Sequence, residues 1–429
     1  MITTAFVNIW GERAGAVAWD SDTLMATFEY DQAFIAKQWD LSPIKMPLGL
    51  RQRIFSFPEL TQNNTFKGMP GLLADVLPDR YGNELINAWL SQNGRPENSL
   101  NPVEMLLFIG KRGMGAMEFE PVAFQSGNGA FDVQIDELVR ITQEVMRSRE
   151  HFEANLQAGE QQAMMDILKI GTSAGGARPK AIIAYNEKTG KVKSGQTKAP
   201  KGFSHWLIKL DGVSDSQFGA TSGYGRVEMA YYLMAKACGI NISECRLLEE
   251  NDRAHFMTRR FDREGGDTKH HMQTLCAMQH YDFNNTTSYS YEQLFQTMRL
   301  LRLPYPQAEE LFRRMVFNVI ARNCDDHAKN FAFLLKQNQS WELSPAYDVC
   351  HAYRPGSEWV SQHNLSVNGK RLNITKNDLL AVAKAMNIKK ADGIITSIND
   401  TVGRWNEFAE QVNVEGKLRD AIGKTLIKF

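Results

Sequence analysis

The sequence predicts an α+β fold, and three observations lead there. Short apolar runs broken by glycine turns fill the first 120 or so residues. Two strand-like runs bracket a Lys-rich stretch near the middle of the chain. The last third carries helical apolar spacing followed by a compact polar motif. The chain has 429 residues, which at roughly 100–200 residues per domain means two or three units.

Phe6-Val7-Asn8-Ile9-Trp10 before Gly11-Glu12 reads as a strand and turn. Residues 16–19 and 25–28 read as further strands of a meander. Gly68-Met69-Pro70-Gly71 breaks the chain, and residues 72–90 then show helical spacing interrupted at Pro78. Gly113-Met114-Gly115 is another turn, with Met117-Glu118-Phe119-Glu120-Pro121 as a closing strand. Residues 132–155 read as a helix, with Ile135, Leu138, Val139, Ile141 and Val145 mostly at three- and four-residue steps. After a Gly-rich stretch, 181–185 reads as a strand and 204–210 as its partner. Polar, Lys-rich residues 186–202 read as the solvated loop of that hairpin. Residues 226–237 read as a helix ended by Gly239. The clearest helix is 307–322, where Ala308, Leu311, Phe312, Met315, Val316, Val319 and Ile320 form one apolar stripe.

Composition narrows the function. Hydrophobic residues make up 43% and charged residues 23%, enough for a sizeable core. Lys plus Arg equals Asp plus Glu at 49 each, so a globally basic nucleic-acid coat is excluded, though a local patch is not. Cys238, Cys245, Cys276, Cys324 and Cys350 form no C-x-x-C pair and are odd in number. Reduced thiols are the simpler reading than a disulfide scaffold or zinc finger. No apolar run reaches the roughly 18 residues of a membrane span, and Asn8, Glu12 and Arg13 break the N-terminal apolar stretch. A soluble, cytoplasmic protein with no membrane partner is the expectation.

The chemistry follows the clearest helix. Asn323-Cys324-Asp325-Asp326-His327-Ala328-Lys329-Asn330 leads into a short apolar strand, a turn, the strand Trp341-Glu342-Leu343, and Ser344-Pro345-Ala346-Tyr347-Asp348. Protein kinases order their catalytic loop in this way, with Asp and Asn separated by four residues. Asp325 and Asn330 have that separation. Such an Asp accepts or orients the proton of an attacking hydroxyl, while the Asn and a later Asp hold Mg²⁺ against phosphates. Asp348, returned beside Asn330 by the hairpin, is the natural second ligand. Two other readings stand beside this one: a polar loop capping a helix, or a hydrolytic metal site of Asp325, Asp326 and His327.

Upstream, Gly171-Thr172-Ser173-Ala174-Gly175-Gly176-Ala177-Arg178-Pro179-Lys180 precedes a strand. Its small residues let backbone N–H groups approach phosphate oxygens. It matches neither the Walker A nor the dinucleotide pattern, and it also reads as a plain turn. Strand alternation puts Trp206, Ile208 and Leu210 on one face, Leu207 and Lys209 on the other. A lysine in an apolar strand needs an anion, such as phosphate, or a path to water. Glu228, in the first turn of the helix that follows, either pairs with Lys209 or lies exposed near the helix N-terminus.

Jointly and in this order, these residues resemble the HipA-type toxins of bacterial toxin–antitoxin modules, which are serine/threonine protein kinases. The resemblance covers nearly the whole chain. It rests on Gly68-Met69-Pro70-Gly71-Leu72-Leu73-Ala74-Asp75-Val76-Leu77-Pro78-Asp79 and Gly113-Met114-Gly115-Ala116-Met117-Glu118-Phe119-Glu120-Pro121 in the N-terminal third. Further on it rests on residues 173–180, Arg260-Phe261-Asp262-Arg263, residues 325–331 and Tyr347-Asp348-Val349.

The resemblance implies a protein-kinase-like bilobal α+β fold with an extra N-terminal α/β subdomain. The divisions would be an N-terminal subdomain at 1–125, a kinase small lobe at 126–258 and a mostly helical C-terminal lobe at 259–429. It implies ATP and Mg²⁺ as cofactors. Asp325 would be catalytic, Asn330 and Asp348 the magnesium ligands, and Lys209 the phosphate lysine. Ala174, Gly175, Gly176, Ala177, Arg178, Pro179 and Lys180 would cover the nucleotide. Arg259, Arg260 and Phe261 would form the hinge beside the adenine, and His327, Ala328, Lys329, Asn330 and Tyr347 would line the site. Ser173 would be autophosphorylated, with Thr172 as alternate acceptor. A phosphoserine there would compete with ATP for the same cations. The motif Tyr347-Asp348-Val349 replaces D-F-G, and no A-P-E segment follows, so activation-loop control is not expected.

The implied function is a toxin that phosphorylates a protein hydroxyl, with a translation factor or aminoacyl-tRNA synthetase as the implied target class. A HipB-like helix-turn-helix antitoxin would be its partner, and DNA would be reached only through that partner. Two other functions remain open: a non-catalytic corepressor of the antitoxin, and a small-molecule kinase on the same scaffold.

Overall fold

The structure is a computed structural model that describes residues 2–49, 51–121, 132–147, 171, 178–195, 198–213 and 223–429. An antiparallel sheet opens the chain: β1 (Thr4–Ile9), β2 (Glu12–Asp20) and β3 (Met25–Tyr30) form the meander expected from sequence. Trp10 and Gly11, at φ of 50° and 81°, make the tight turn between β1 and β2, a geometry whose twist matches the strands it joins. Ala5, Val7 and Ile9 alternate into the core. After a short helix α1 (Gln32–Ile35), β4 (Ile54–Phe55) pairs with β3.

The apolar spacing at 72–90 resolves into two helices, α2 (Gly71–Ala74) and α3 (Arg80–Gln92). Leu77-Pro78-Asp79 separates them, and the Asp79 side chain caps α3 by accepting from Gly82 N at 2.8 Å. Helix α4 (Pro102–Ile109) carries a reciprocal Asn101/Glu104 capping box and packs on β1 and β2. β5 (Met117–Glu120) then pairs with β1, giving the order β4-β3-β2-β1-β5.

Of the helix expected at 132–155, α5 (Ile135–Arg147) forms the described part from Ile135 on, while Asp132 instead makes a β-bridge with Lys193. A second antiparallel sheet follows: β6 (Lys180–Tyr185), β7 (Val192–Ser194), β8 (Ser204–Lys209), β9 (Cys245–Glu250) and β10 (Arg253–Arg259), in the order β7-β6-β8-β10-β9. β7 corrects the reading of 186–202 as solvated loop throughout, because its backbone extends the sheet beside β6. Trp206, Ile208 and Leu210 share a core with Tyr81, Leu85, Ile86 and Leu90. Helix α3 thus lies in the core of the second sheet. Between β8 and β9 runs helix α6 (Tyr224–Ala237).

Beyond β10 come the hairpin β11 (Arg263–Glu264) and β12 (Thr268–Lys269), then β13 (His271–Thr274) and α7 (Leu275–Gln279). Next are β14 (Tyr289–Ser290), α8 (Tyr291–Leu300) and the long helix α9 (Tyr305–Ile320), whose apolar stripe is fully buried from Leu311 onward. β15 (Ala332–Leu335) and β16 (Trp341–Leu343) make the expected hairpin, and β13 joins β15 as a third strand. β17 (Leu365–Ser366) pairs with β14, and α10 (Lys376–Met386), α11 (Ala391–Gly403), α12 (Trp405–Gln411) and α13 (Gly416–Gly423) complete a mostly helical C-terminal part. Among the described residues, no helix is long and apolar enough to cross a membrane.

Candidate active site

Lys209 ends β8 with its side chain on the face opposite Trp206 and Ile208. Its ammonium is bonded to two carboxylates, Glu228 on α6 and Asp348 beyond the β15–β16 hairpin. Local packing brings each carboxylate there. Gly225, in the first turn of α6, lies so close to β10 that an added Cβ would meet the Ala254 carbonyl at 1.9 Å. That close approach sets Glu228 against the sheet. The helix begins at Tyr224, so Glu228 lies in its second turn, not the first, and it is 2% exposed rather than solvated.

Burial works against the Lys209 charge, but Asp348 and Glu228 outweigh it and raise its pKa. Desolvation likewise works to raise Asp348, and Lys209 with Lys180 overcome it, holding Asp348 at about 2. Asp348 stays ionised across the physiological range.

Asp348 in turn lines one cavity with Asn330, from the loop that follows α9. Asn330 Nδ2 donates to the Asp325 carbonyl at 2.6 Å, which turns its amide oxygen away from that loop. His327 Nδ1 accepts from Lys329 N at 3.2 Å and caps the short turn Ala328–Asn330, while its Nε2 lies 3.8 Å from Asp325 Oδ1. Ala328 is buried, and Lys329 lies over the Phe283 ring at 4.6 Å. Tyr347 donates its hydroxyl to the Lys329 carbonyl at 2.6 Å, and its ring packs on Phe261 at 5.5 Å. Asp325 itself is 46% exposed and faces solvent.

Asp326 does something different. Its carboxylate is buried and accepts from Tyr291 Oη, His363 Nδ1 and Asn364 N at 2.8, 2.9 and 2.7 Å. It anchors the loop in the core, which removes it from any metal site built with Asp325 and His327. Sequence reasoning missed this anchor. The signal would have been a second Asp beside an exposed one, with a histidine and an amide to receive it far downstream.

Of the glycine-rich segment, Thr172, Ser173, Ala174, Gly175, Gly176 and Ala177 lie outside the described residues. Arg178 lies over the Tyr224 ring at 4.9 Å, and the Pro179 carbonyl accepts from Leu210 N at 3.0 Å. Both line a cleft with Lys209, Asp211, Tyr224 and Glu228. Lys180 is buried and is the direct cross-strand partner of Lys209.

The three expected hinge residues separate. Phe261 reaches Tyr347, but Arg259 turns to Glu244 at 3.3 Å, and Arg260 is buried against Asp262 at 2.7 Å. Arg263 flanks the same carboxylate at 2.8 Å and donates to the Gly113 and Gly115 carbonyls, while Gly115 N donates back to Asp262 at 2.7 Å. Burial opposes the Asp262 charge, and the two guanidiniums outweigh it, holding its pKa well below the usual carboxylate range. The arginines of this motif therefore clamp the N-terminal sheet to the rest of the chain. Asp75 makes a second clamp, accepting from Thr274 N and Oγ1 at 2.7 Å each.

The lysine–carboxylate arrangement and the loop order fit a kinase-like α+β fold. Family comparison narrows it further. The HipA N-terminal domain model matches residues 5–120 and the HipA-like C-terminal domain model matches residues 172–406. The chain belongs to the HipA family. Among solved structures, it is similar to a chain of the Shewanella oneidensis MR-1 toxin–antitoxin complex of HipA, HipB and operator DNA. The identity is 16%, the coverage 98% of this chain and 95% of that one, and the TM-score 0.68. That likeness concerns the fold, which is the HipA fold. The Helicobacter pylori proinflammatory kinase CtkA is 14% identical, with 58% of this chain and 92% of that one covered and a TM-score of 0.34, too slight a similarity to argue from. No curated protein matches the chain.

Proposed function

We propose that this HipA-family chain is the toxin of a toxin–antitoxin pair and acts as an ATP-dependent serine/threonine protein kinase. The observation that carries this reading is Lys209, held between Glu228 and Asp348, with Asp348 lining one cavity together with Asn330. The donor set suits the cofactor. The Asn330 amide oxygen and the Asp348 carboxylate are hard oxygen ligands of the kind Mg²⁺ takes. The buried lysine is a cation of the kind that meets phosphate oxygens. When bound, MgATP supplies the γ-phosphoryl group together with the charge that offsets its oxygens.

The chain's residues then have distinct tasks. Lys209 and Lys180 neutralise phosphate charge, and Glu228 holds Lys209 in place. Asn330 and Asp348 are the metal ligands. Phe261 and Tyr347 present an aromatic wall to the base. Asp325, exposed to solvent, orients the acceptor hydroxyl and takes up its proton. Ser173, or Thr172 beside it, is the site of self-modification. The partner in this reading is a HipB-like helix-turn-helix antitoxin, as in the similar Shewanella complex. The target is a protein hydroxyl, with a translation factor or aminoacyl-tRNA synthetase as the working substrate class.

The test is incubation with MgATP followed by intact-mass and peptide mapping, for wild type and Asp325→Ala. The expected outcome is one added phosphate on Ser173 or Thr172, absent in the variant. Absence of both phosphate gain and MgATP binding in the wild type would sink the kinase reading in favour of a non-catalytic antitoxin partner.

A further inference from the structure

Lys180 and Lys209 oppose each other directly across β6 and β8, and both side chains are largely buried. Like charges placed so repel each other, and each buried ammonium needs an anion. Lys209 has Glu228 and Asp348. Lys180 also feels the Asp348 charge, and a further carboxylate comes from the N-terminal part of the chain: Asp79 Oδ2 lies 3.5 Å from Lys180 Nζ. The two side chains are 9% and 3% exposed.

Asp79 divides its oxygens between two tasks. Oδ1 caps α3 through Gly82 N. Oδ2 is buried with no hydrogen-bond partner and points at Lys180. A helix cap alone does not call for this charge, since Asn and Ser cap as well as Asp. Burial lifts the Asp79 pKa to about 6 against the pull of Lys180, so ionisation there is costly. A buried carboxylate oxygen left short of a full hydrogen bond calls for an explanation beyond the cap.

We propose that Asp79 is a positioning residue that holds Lys180 beside Lys209, so that the N-terminal subdomain completes the phosphate-binding site. This rests on the kinase reading above. Removing the charge loosens Lys180 and weakens nucleotide binding without touching the Asp325 chemistry.

Asp79→Asn isolates the effect, because it keeps the cap and removes the charge. Asp79→Ser is a second capping variant should the first misfold. Two measurements are made on the full chain. In the nucleotide-free protein, acylation of Lys180 by an N-hydroxysuccinimide ester is followed by peptide mass. MgATP affinity is measured by calorimetry. The expected result is several-fold faster labelling of Lys180 and about tenfold weaker MgATP binding, the scale of losing an outer-sphere positioning contact. The loss should appear in KM rather than kcat, and it should vanish in a Lys180→Met background.

Unchanged labelling or unchanged affinity, with wild-type binding intact, overturns the role of Asp79 alone. The same loss in the Lys180→Met background also overturns it, since Asp79 would then act through something else. Wild-type protein that binds no MgATP refutes the kinase reading, and this role with it.

Discussion

The pair of Asp326 and His363 beneath the Asp325–Asn330 loop makes stability fall as pH rises. Both side chains are essentially inaccessible, at 0% and 1% exposure. Asp326 also accepts from Tyr291 Oη and Asn364 N, and His363 Nε2 lies 3.8 Å from Cys324 Sγ. Arg371 faces the same segment through the His363 and Asn364 carbonyls. Burial favours neutral His363, but Asp326 outweighs it and raises its pKa to about 10 from an ordinary value of 6.5. A raised folded-state pKa gives stability that is fully present below about pH 6.5 and lost as pH climbs through 10. Each unit in that window is worth about 1.4 kcal/mol, so the ceiling is about 4–5 kcal/mol. That agrees with the roughly 3–5 kcal/mol expected for stripping one partner from a buried pair. Between pH 6.5 and 9.5 about 3.5 kcal/mol of that is lost, so at a urea slope of about 3 kcal/mol/M the wild-type midpoint should drop by about 1 M. Tryptophan fluorescence would follow the unfolding. His363→Gln should start lower at pH 6.5 and stay nearly flat across the window. Equal pH dependence in the two proteins would refute the assignment of a charged His363.

Two further outcomes follow from contacts described above. Asp262→Asn leaves Arg260 and Arg263 buried without their anion. It should cost about 3–5 kcal/mol and lower the thermal midpoint by about 10 °C in calorimetry, with an unchanged midpoint as the contrary result. Tyr347→Phe removes the donor to the Lys329 carbonyl at a cost of about 1 kcal/mol. It should speed amide exchange across residues 327–330 while leaving exchange in β1–β3 as it was.

The legible parts of the chain were those whose burial follows a local period. Strands β1 to β3 and β5, the stripe of α9 and the β15–β16 hairpin all show in apolar spacing. β7 did not, because Val192-Lys193-Ser194 lies in a Lys-rich run and earns its place through backbone pairing with Ile183 and its neighbours. β13 was invisible for a related reason. His271-Met272-Gln273-Thr274 is polar in composition, yet three of its four residues are buried against a strand some 60 residues away. In the candidate site, motif spacing and order picked out Asp325, Asn330 and Asp348, strand alternation singled out Lys209, and Glu228 stood open between pairing with Lys209 and lying exposed. What such spacing could not supply was direction. Nothing local says that Asp325 faces out while Asp326 faces in, or that Arg260 turns to the N-terminal sheet. The contacts of Asp75 and Asp79 span even greater distances, to Thr274 and Lys180, and a cap-like sequence context hides them.

The separation between Lys209 and Asp348 also carries a consequence for synthesis. The first sheet is complete once β5 reaches β1, so it can form early on the ribosome. Lys209 must then wait for a carboxylate 139 residues further along the chain. At about 5–20 residues per second, that delay is roughly 7–30 s. Until then the growing chain holds its lysine against Glu228 alone. The Lys209–Asp348 pair forms only after residue 348 has been made, well after the part of the chain carrying Lys180, Lys209 and Asp79 has emerged.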